Sequence, residues 1–200
     1  AIRHACWYFK VNPDIRWLDS EVYEKNPKQV KELKSFAGIV VPGGFGFRGI
    51  EGKIKAIEFC RKNKIPYLGL CLGMQLAVVE FARNVCALKR ANSTEFDPKT
   101  PHPVIDLMLE QKSLLKEKKY GGTMRLGNYK CQLKRGTKAY FAYGKKDFVL
   151  ERHRHRYEFN NKYREILEKK GVVFSGINPE RNLVEIIELK DHPFFVATQF

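Results

Sequence analysis

The chain has 200 residues, of which 44% are hydrophobic and 30% are charged, and this size and composition predict one domain with a substantial core. No apolar run approaches the length of a membrane span, and the sequence has neither a signal-peptide pattern nor a zinc-type Cys/His cluster. Its five cysteines have no regular spacing, which argues against a disulfide framework and favours a reducing, cytoplasmic setting.

The formal net charge is +15, from 37 Lys and Arg against 22 Asp and Glu, and such an excess is typical of proteins with anionic partners. The basic residues are scattered, with local density at residues 112–119 and 130–146, and no aromatic stripe interleaves with them as single-strand binding would require. We therefore expect a solvated basic surface that faces a nucleotide or a partner domain. Nucleic-acid binding is the less favoured alternative, which steeply salt-dependent retention on DNA would support.

The first half of the chain alternates between helical and strand patterns. In chain order, the patterns predict a helix (1–9), a short strand (14–18), a polar connector (20–25), a helical segment (27–35), a buried strand (37–41), a glycine-rich loop (42–46), an amphipathic helix (51–62), a second buried strand (65–70) and a helix (74–86). Strand, helix, strand and helix in succession indicate βαβ units and a parallel sheet.

The second half is richer in strand patterns. It predicts a loop (92–103), a strand (104–108), a charged insertion (112–120), two β segments (121–127 and 129–133), a basic run (148–158), a helix (162–170) and three closing strands (172–177, 183–189 and 194–200). The expected fold class is α/β, an open and mostly parallel sheet flanked by helices, with an additional β-rich segment after helix 74–86. The chain starts without methionine and stops within an apolar run, so we expect a domain truncated at both ends.

Cys71 stands between Gly69 and Gly73, after a buried strand and before a helix, which is the layout of a nucleophile elbow. Glycines fit this sharp turn because a Cβ on either neighbour would clash. The helix N-terminus favours a thiolate there and predicts a lowered pKa for the cysteine. A structural thiol is the alternative for a lone cysteine. The remaining four, which lack this context, are predicted to be structural: Cys6, Cys60, Cys86 and Cys131.

The glycine-rich loop at residues 42–46 follows a buried strand and predicts an oxyanion site. Backbone N–H groups of such a loop, together with that of Leu72 after the nucleophile, stabilise the charge of a tetrahedral intermediate. Gly44, Gly46 and Gly49 also form a G-x-G-x-x-G pattern of the dinucleotide-binding type. That alternative is less favoured, because Lys64 follows where an acidic ribose ligand would be needed.

The run Glu151-Arg-His-Arg-His-Arg-Tyr-Glu158 has two interpretations. It is either a solvated charged strand or a carboxylate-binding segment, since arginine grips a carboxylate with two parallel hydrogen bonds. Alternation places His153 and His155 on one strand face, where they are candidate bases. Glu95, in a loop, is by itself most simply an exposed acid.

Taken together, these motifs closely resemble the glutamine amidotransferase domain of the CTP synthase family, a class I (triad) type. The segments that carry the resemblance are residues 3–5, 17–21, 40–46, 66–84, 93–96, 121–127, 151–158 and 185–188. The resemblance implies a flavodoxin-like amidotransferase fold and hydrolysis of L-glutamine to glutamate and ammonia. It further implies a separate synthetase domain that uses ATP, UTP and Mg²⁺, with GTP as an activator, in a homotetrameric enzyme, and no cofactor or metal in this domain.

By the same resemblance, Cys71 is the nucleophile that forms a glutamyl thioester. Gly44 and Leu72 are the oxyanion donors, and Gln75, Glu95 and Arg156 complete the glutamine site, with Glu95 suited to the substrate ammonium. The family activates its cysteine with a His-Pro-Glu motif directly after a Gln-Phe pair, whereas here Gln199-Phe200 ends the sequence. A non-catalytic module that binds glutamine or a partner is therefore the alternative.

Overall fold

A computed structural model describes residues 1–107 and 124–200. Its helices are α1 (Ile2–Tyr8), α2 (Ser20–Lys25), α3 (Ile50–Asn63), α4 (Leu72–Asn84), α5 (Lys138–Ala142) and α6 (Arg164–Lys169), with 3-10 segments at Pro27–Ser35 and Asn161–Tyr163. Its strands are β1 (Ile39–Val41), β2 (Tyr67–Leu70), β3 (Asn92–Ser93), β4 (Pro103–Leu107), β5 (Arg125–Leu133), β6 (Phe148–His155), β7 (Tyr157–Phe159), β8 (Val172–Asn178), β9 (Leu183–Leu189) and β10 (Phe195–Thr198). The predicted insertion at 112–120 and the start of the segment at 121–127 lie outside the described residues.

The main sheet has seven strands in the order β1-β2-β10-β9-β8-β5-β6. Strands β1, β2 and β10 pair in parallel, and all the other pairs in this sheet are antiparallel. The α/β class and the additional β-rich segment are as expected, but the sheet is mixed rather than mostly parallel. Strands β8, β9 and β10 follow one another through short connections, which favour antiparallel pairing, whereas the parallel neighbours β1 and β2 are joined by the crossover helix α3.

Two predictions near the N-terminus are wrong. The predicted strand at residues 14–18 is irregular, with Trp17 91% exposed, since no neighbouring strand pairs with it among the described residues. The predicted connector at 20–25 is helix α2, which the Asp19 carboxylate caps by accepting from the backbone N–H of Glu21. Further along, the sequence reading missed α5, whose N-cap is Thr137.

The centre of the molecule is the unit formed by β2, Cys71 and α4. Every residue of α4 from Leu72 to Ala82 is buried, so this helix lies inside the core rather than on its surface. Strand β10 lies beside β2 in parallel register, with Thr198 opposite Leu70. The Cys71 N–H donates to the Thr198 carbonyl over 2.7 Å, which fixes the turn after β2 to the end of β10.

A smaller sheet, in the order β3-β4-β7, packs beside the main one. Strand β6 belongs to the main sheet and β7 to the smaller one, and Arg156 is the single residue between them. The chain therefore bends at Arg156 as it passes from one sheet to the other. Across the ranges 1–107 and 124–200, every helix is too short or too polar to cross a membrane.

Candidate functional site

The turn that carries Cys71 has the strained geometry expected of an elbow. Cys71 has φ of 50° and ψ of −99°, a backbone conformation that residues other than glycine rarely adopt. A Cβ added at Gly73 would lie 2.2 Å from the Val41 carbonyl oxygen, and one added at Gly69 would lie 2.8 Å from Gly73 and from the Tyr67 hydroxyl. Both flanking glycines are therefore required by close backbone approach, as predicted.

The electrostatics of the Cys71 sulfur differ from the expectation. Burial raises its pKa above the ordinary value for a thiol, and the carboxylates of Glu158 and Glu95 raise it further. The backbone N–H of Leu72 and the amide of Gln199 act in the opposite direction but do not outweigh burial. The prediction of a lowered pKa from the helix N-terminus is wrong in net direction, so attack by this sulfur requires a base.

The predicted oxyanion residues lie next to each other. A Cβ added at Gly44 would approach the Leu72 side chain to 3.3 Å, and one added at Gly43 would lie 3.5 Å from Cys71 Cβ. The loop after β1 thus runs directly alongside the first turn of α4. The amide of Gly46 donates to the Glu95 carboxylate, so one backbone donor of this glycine pattern is engaged by an acidic side chain.

Glu95 and Arg156 interact electrostatically although they lie far apart in sequence. Burial raises the pKa of the Glu95 carboxyl, while the Gly46 amide and the Arg156 guanidinium favour its ionised form. Glu95 also acts electrostatically on Cys71, which places it on the nucleophile's side of the molecule. A carboxylate and a guanidinium within electrostatic range of each other match the ammonium and carboxylate of a free α-amino acid.

Gln75, in the first turns of α4, connects three elements. Its amide Nε2 donates to the Tyr157 carbonyl over 3.1 Å and lies 3.4 Å from the Gln199 Oε1. Gln199 in turn directs its Nε2 towards the Cys71 sulfur at 3.6 Å. The sequence marks Gln199 only as part of the Gln-Phe pair, and it predicts neither the Gln199 side chain nor the Tyr157 carbonyl as a site group.

The two histidines of the basic run share one strand face, as the alternation predicts, and both are buried. His155 Nδ1 contacts the Tyr157 carbonyl at 3.1 Å, and its Nε2 contacts His153 Nδ1 at 2.8 Å. Burial lowers the pKa of His153 to about 3 and that of His155 to about 4. Such neutral, internally bonded rings are poorly suited to act as the base for Cys71.

The four remaining cysteines have no comparable setting. Cys60, Cys86 and Cys131 are buried, and burial raises the pKa of both Cys60 and Cys131 to about 12. Cys6 is half-buried on α1. No group of three or more acidic, His or Cys side chains among residues 1–107 and 124–200 is arranged to hold a metal ion.

Comparison with known proteins agrees with this geometry. The family model "Glutamine amidotransferase class-I" matches residues 1–200. The chain is 66% identical over its whole length to the CTP synthase of Caldanaerobacter subterraneus subsp. tengcongensis and 62% identical to that of Carboxydothermus hydrogenoformans. It spans 36% of the length of each of these two relatives.

A solved structure is similar over nearly the whole chain. The glutaminase domain of Trypanosoma brucei CTPS, with bound acivicin, superimposes with a TM-score of 0.91 at 38% identity. The match covers 99% of this chain and 76% of that one. The chain therefore belongs to the class I glutamine amidotransferase family and, within it, to the glutaminase domains of CTP synthases.

Proposed function

We propose that this chain hydrolyses L-glutamine to glutamate and ammonia through a glutamyl thioester on Cys71. The observation that carries the proposal is that Glu95 interacts electrostatically both with Cys71, in its strained turn, and with Arg156. One part of this arrangement supplies a nucleophile, and the other matches the two charged groups of a free amino acid. Family membership makes glutamine the substrate of choice.

In the proposed reaction, the Cys71 sulfur attacks the side-chain amide carbon of glutamine. The backbone N–H groups of Gly44 and Leu72 stabilise the oxyanion that forms. The C–N bond then breaks, and the proton that the thiol gave up leaves with the amine as ammonia. Water hydrolyses the thioester, which releases glutamate and restores the thiol.

The raised pKa of Cys71 means that the proton must be taken by another group. The family resemblance assigns this task to the His and Glu of a His-Pro-Glu motif that follows a Gln-Phe pair like Gln199-Phe200. Gln75 stabilises the site because its amide donates a hydrogen bond to the carbonyl of Tyr157, the residue after Arg156. Glu95 binds the substrate ammonium and Arg156 its carboxylate.

The relatives' name suggests a wider role. We propose that the ammonia passes to a synthetase domain for the ATP-dependent amination of UTP to CTP, in a tetrameric enzyme that GTP activates. ATP, UTP and Mg²⁺ belong to that domain, and no step at Cys71 involves them. The five free cysteines fit a reducing, cytoplasmic setting for such an enzyme.

The test uses the full-length protein and compares Cys71→Ala with Cys6→Ala. We expect Cys71→Ala to abolish CTP formation from glutamine and to leave CTP formation from free ammonia intact, while Cys6→Ala changes neither. Equal loss with both nitrogen sources would contradict the proposal. A diazoketone that mimics glutamine should label Cys71, and added glutamine should block this labelling. If glutamine blocks the labelling but the protein does not hydrolyse glutamine, the chain is a non-catalytic binding module.

A further inference from the structure

The bend at Arg156 is held from both sides by buried polar groups. His155 precedes it at the end of β6 and Glu158 follows it in β7, and each is 2% exposed. Arg156 itself is exposed. An exposed side chain on a bend between two sheets needs a fixed backbone if it is to meet a carboxylate with correct geometry.

One buried arginine forms ion pairs with both sheets close to this bend. Arg125 of β5 lies 2.7 Å from Glu185 of β9 and 3.5 Å from Glu158 of β7. All three side chains are at least 98% buried. The backbone carbonyl of Glu185 also accepts from the N–H of Gln199, so the same cluster reaches the strand that borders Cys71.

The two hydrogen bonds of His155, with the Tyr157 carbonyl and with His153, are both satisfied by one tautomer. His155 Nδ1 lies 3.1 Å from the Tyr157 carbonyl, which can only accept, and 3.5 Å from Glu158 Oε1, so we assign the proton to Nδ1 as the donor to the nearer carbonyl. Both rings are neutral at pH 7, because burial lowers their pKa values far below it. His155 Nε2 is then unprotonated and accepts from His153 Nδ1, 2.8 Å away.

We propose that His155 is a positioning residue for glutamine, whose Nδ1–H holds the Tyr157 carbonyl and thereby fixes the bend that presents Arg156. His153 sets the tautomer of His155 by donating a hydrogen bond to its Nε2. The Tyr157 carbonyl accepts a second hydrogen bond from Gln75, whose amide also lies against Gln199 beside Cys71. The His155 contact therefore aligns the substrate-binding bend with the nucleophile. This inference rests on the proposed function, since it assigns Arg156 to the glutamine carboxylate.

Two amide variants separate this role from a packing role. The amide nitrogen of an asparagine at position 155 lies near the place of imidazole Nδ1, whereas that of glutamine lies near Nε2. In the full-length protein we expect His155→Asn to keep the KM for glutamine within about threefold of the unmodified value. We expect His155→Gln to raise this KM about tenfold, with kcat and ammonia-dependent CTP formation changed less than about threefold.

Equal effects of the two amides on KM, or loss of ammonia-dependent activity together with glutamine-dependent activity, would overturn the assignment. A separate outcome marks failure of the proposed function itself, namely that the unmodified protein forms no ammonia from glutamine. A measurement without substitutions covers the case in which neither variant folds. The ¹⁵N shifts of the His155 ring should show a protonated Nδ1 and a bare Nε2, and the opposite tautomer would refute the inference.

Discussion

The side-chain amide of Gln199 lies 3.6 Å from the sulfur of Cys71, although 128 positions separate the two residues in sequence. The contact exists because β10 runs parallel to β2, so that both strands end at the same edge of the sheet. A backbone hydrogen bond from Cys71 to Thr198 locks the two strand ends together. The nucleophile's surroundings are therefore set by β10 as much as by the elbow.

This contact predicts an effect of Gln199 on the thiol. Replacing Gln199 with Met keeps the length of the side chain but removes the donor that lowers the pKa of Cys71. We expect the thiol pKa to rise by up to about one unit, the size of one ordinary hydrogen bond. The pH dependence of Cys71 alkylation by iodoacetamide measures this change. Gln132→Met, on an exposed position of β5, is the control, and equal alkylation profiles for both variants would contradict the argument.

The close packing of the elbow predicts that Gly73→Ala strongly destabilises the protein. The added methyl would meet the Val41 carbonyl oxygen at 2.2 Å, and this oxygen belongs to backbone that cannot move aside like the end of a flexible side chain. We expect a loss of about 1–3 kcal/mol or more in the free energy of unfolding, measured by urea denaturation, and slower labelling of Cys71. Gly38→Ala, where the nearest contact would be 3.4 Å, is the matched control. Similar stabilities of the two variants would show that the backbone relaxes at the elbow.

The sequence predicts local features well here and long-range ones poorly. The elbow, the glycine loop and the shared face of His153 and His155 follow from spacing alone, because each depends on neighbours within a few positions. The mixed sheet and the contact between Gln75 and Gln199 depend on which strands pair, and periodicity does not encode this. The net pKa of Cys71 was predicted wrongly because burial is a property of the whole fold.

The buried carboxyl of Glu158 predicts an alkaline loss of stability. Burial raises its pKa to about 8, so the folded state binds a proton that the unfolded state has released above about pH 4.5. This contribution is complete at low pH and is lost as the pH rises through 8. The lowered pKa of His155, about 4, acts in the opposite direction but only below about pH 6.5. Between pH 6.5 and 8, Glu158 should therefore lower the free energy of unfolding, by at most about 1.4 kcal/mol per pH unit.

Glu158→Gln imitates the protonated carboxyl and should flatten this slope. Urea denaturation at pH 6.5 and pH 8 compares the unmodified protein with the variant. Glu168→Gln, at an exposed position of α6, should keep the slope of the unmodified protein. If Glu158→Gln retains the full slope, the proton does not reside on this carboxyl.

Substitution of Arg156 separates the effect of positive charge from the effect of donor geometry on glutamine binding. A lysine at position 156 keeps the positive charge near Glu95 but loses the planar pair of donors that holds a carboxylate in one orientation. We expect Arg156→Lys to raise the KM for glutamine about tenfold or more in the full-length protein, while CTP formation from ammonia stays unchanged.

Arg154→Lys tests the specificity of the effect, because Arg154 is also exposed but lies within β6, before the bend. If the two substitutions raise the KM equally, the basic run attracts the substrate by its overall charge, and the bend has no special part in binding. A large rise for Arg156 alone would mean that the passage of the chain from one sheet to the other is what builds the carboxylate site.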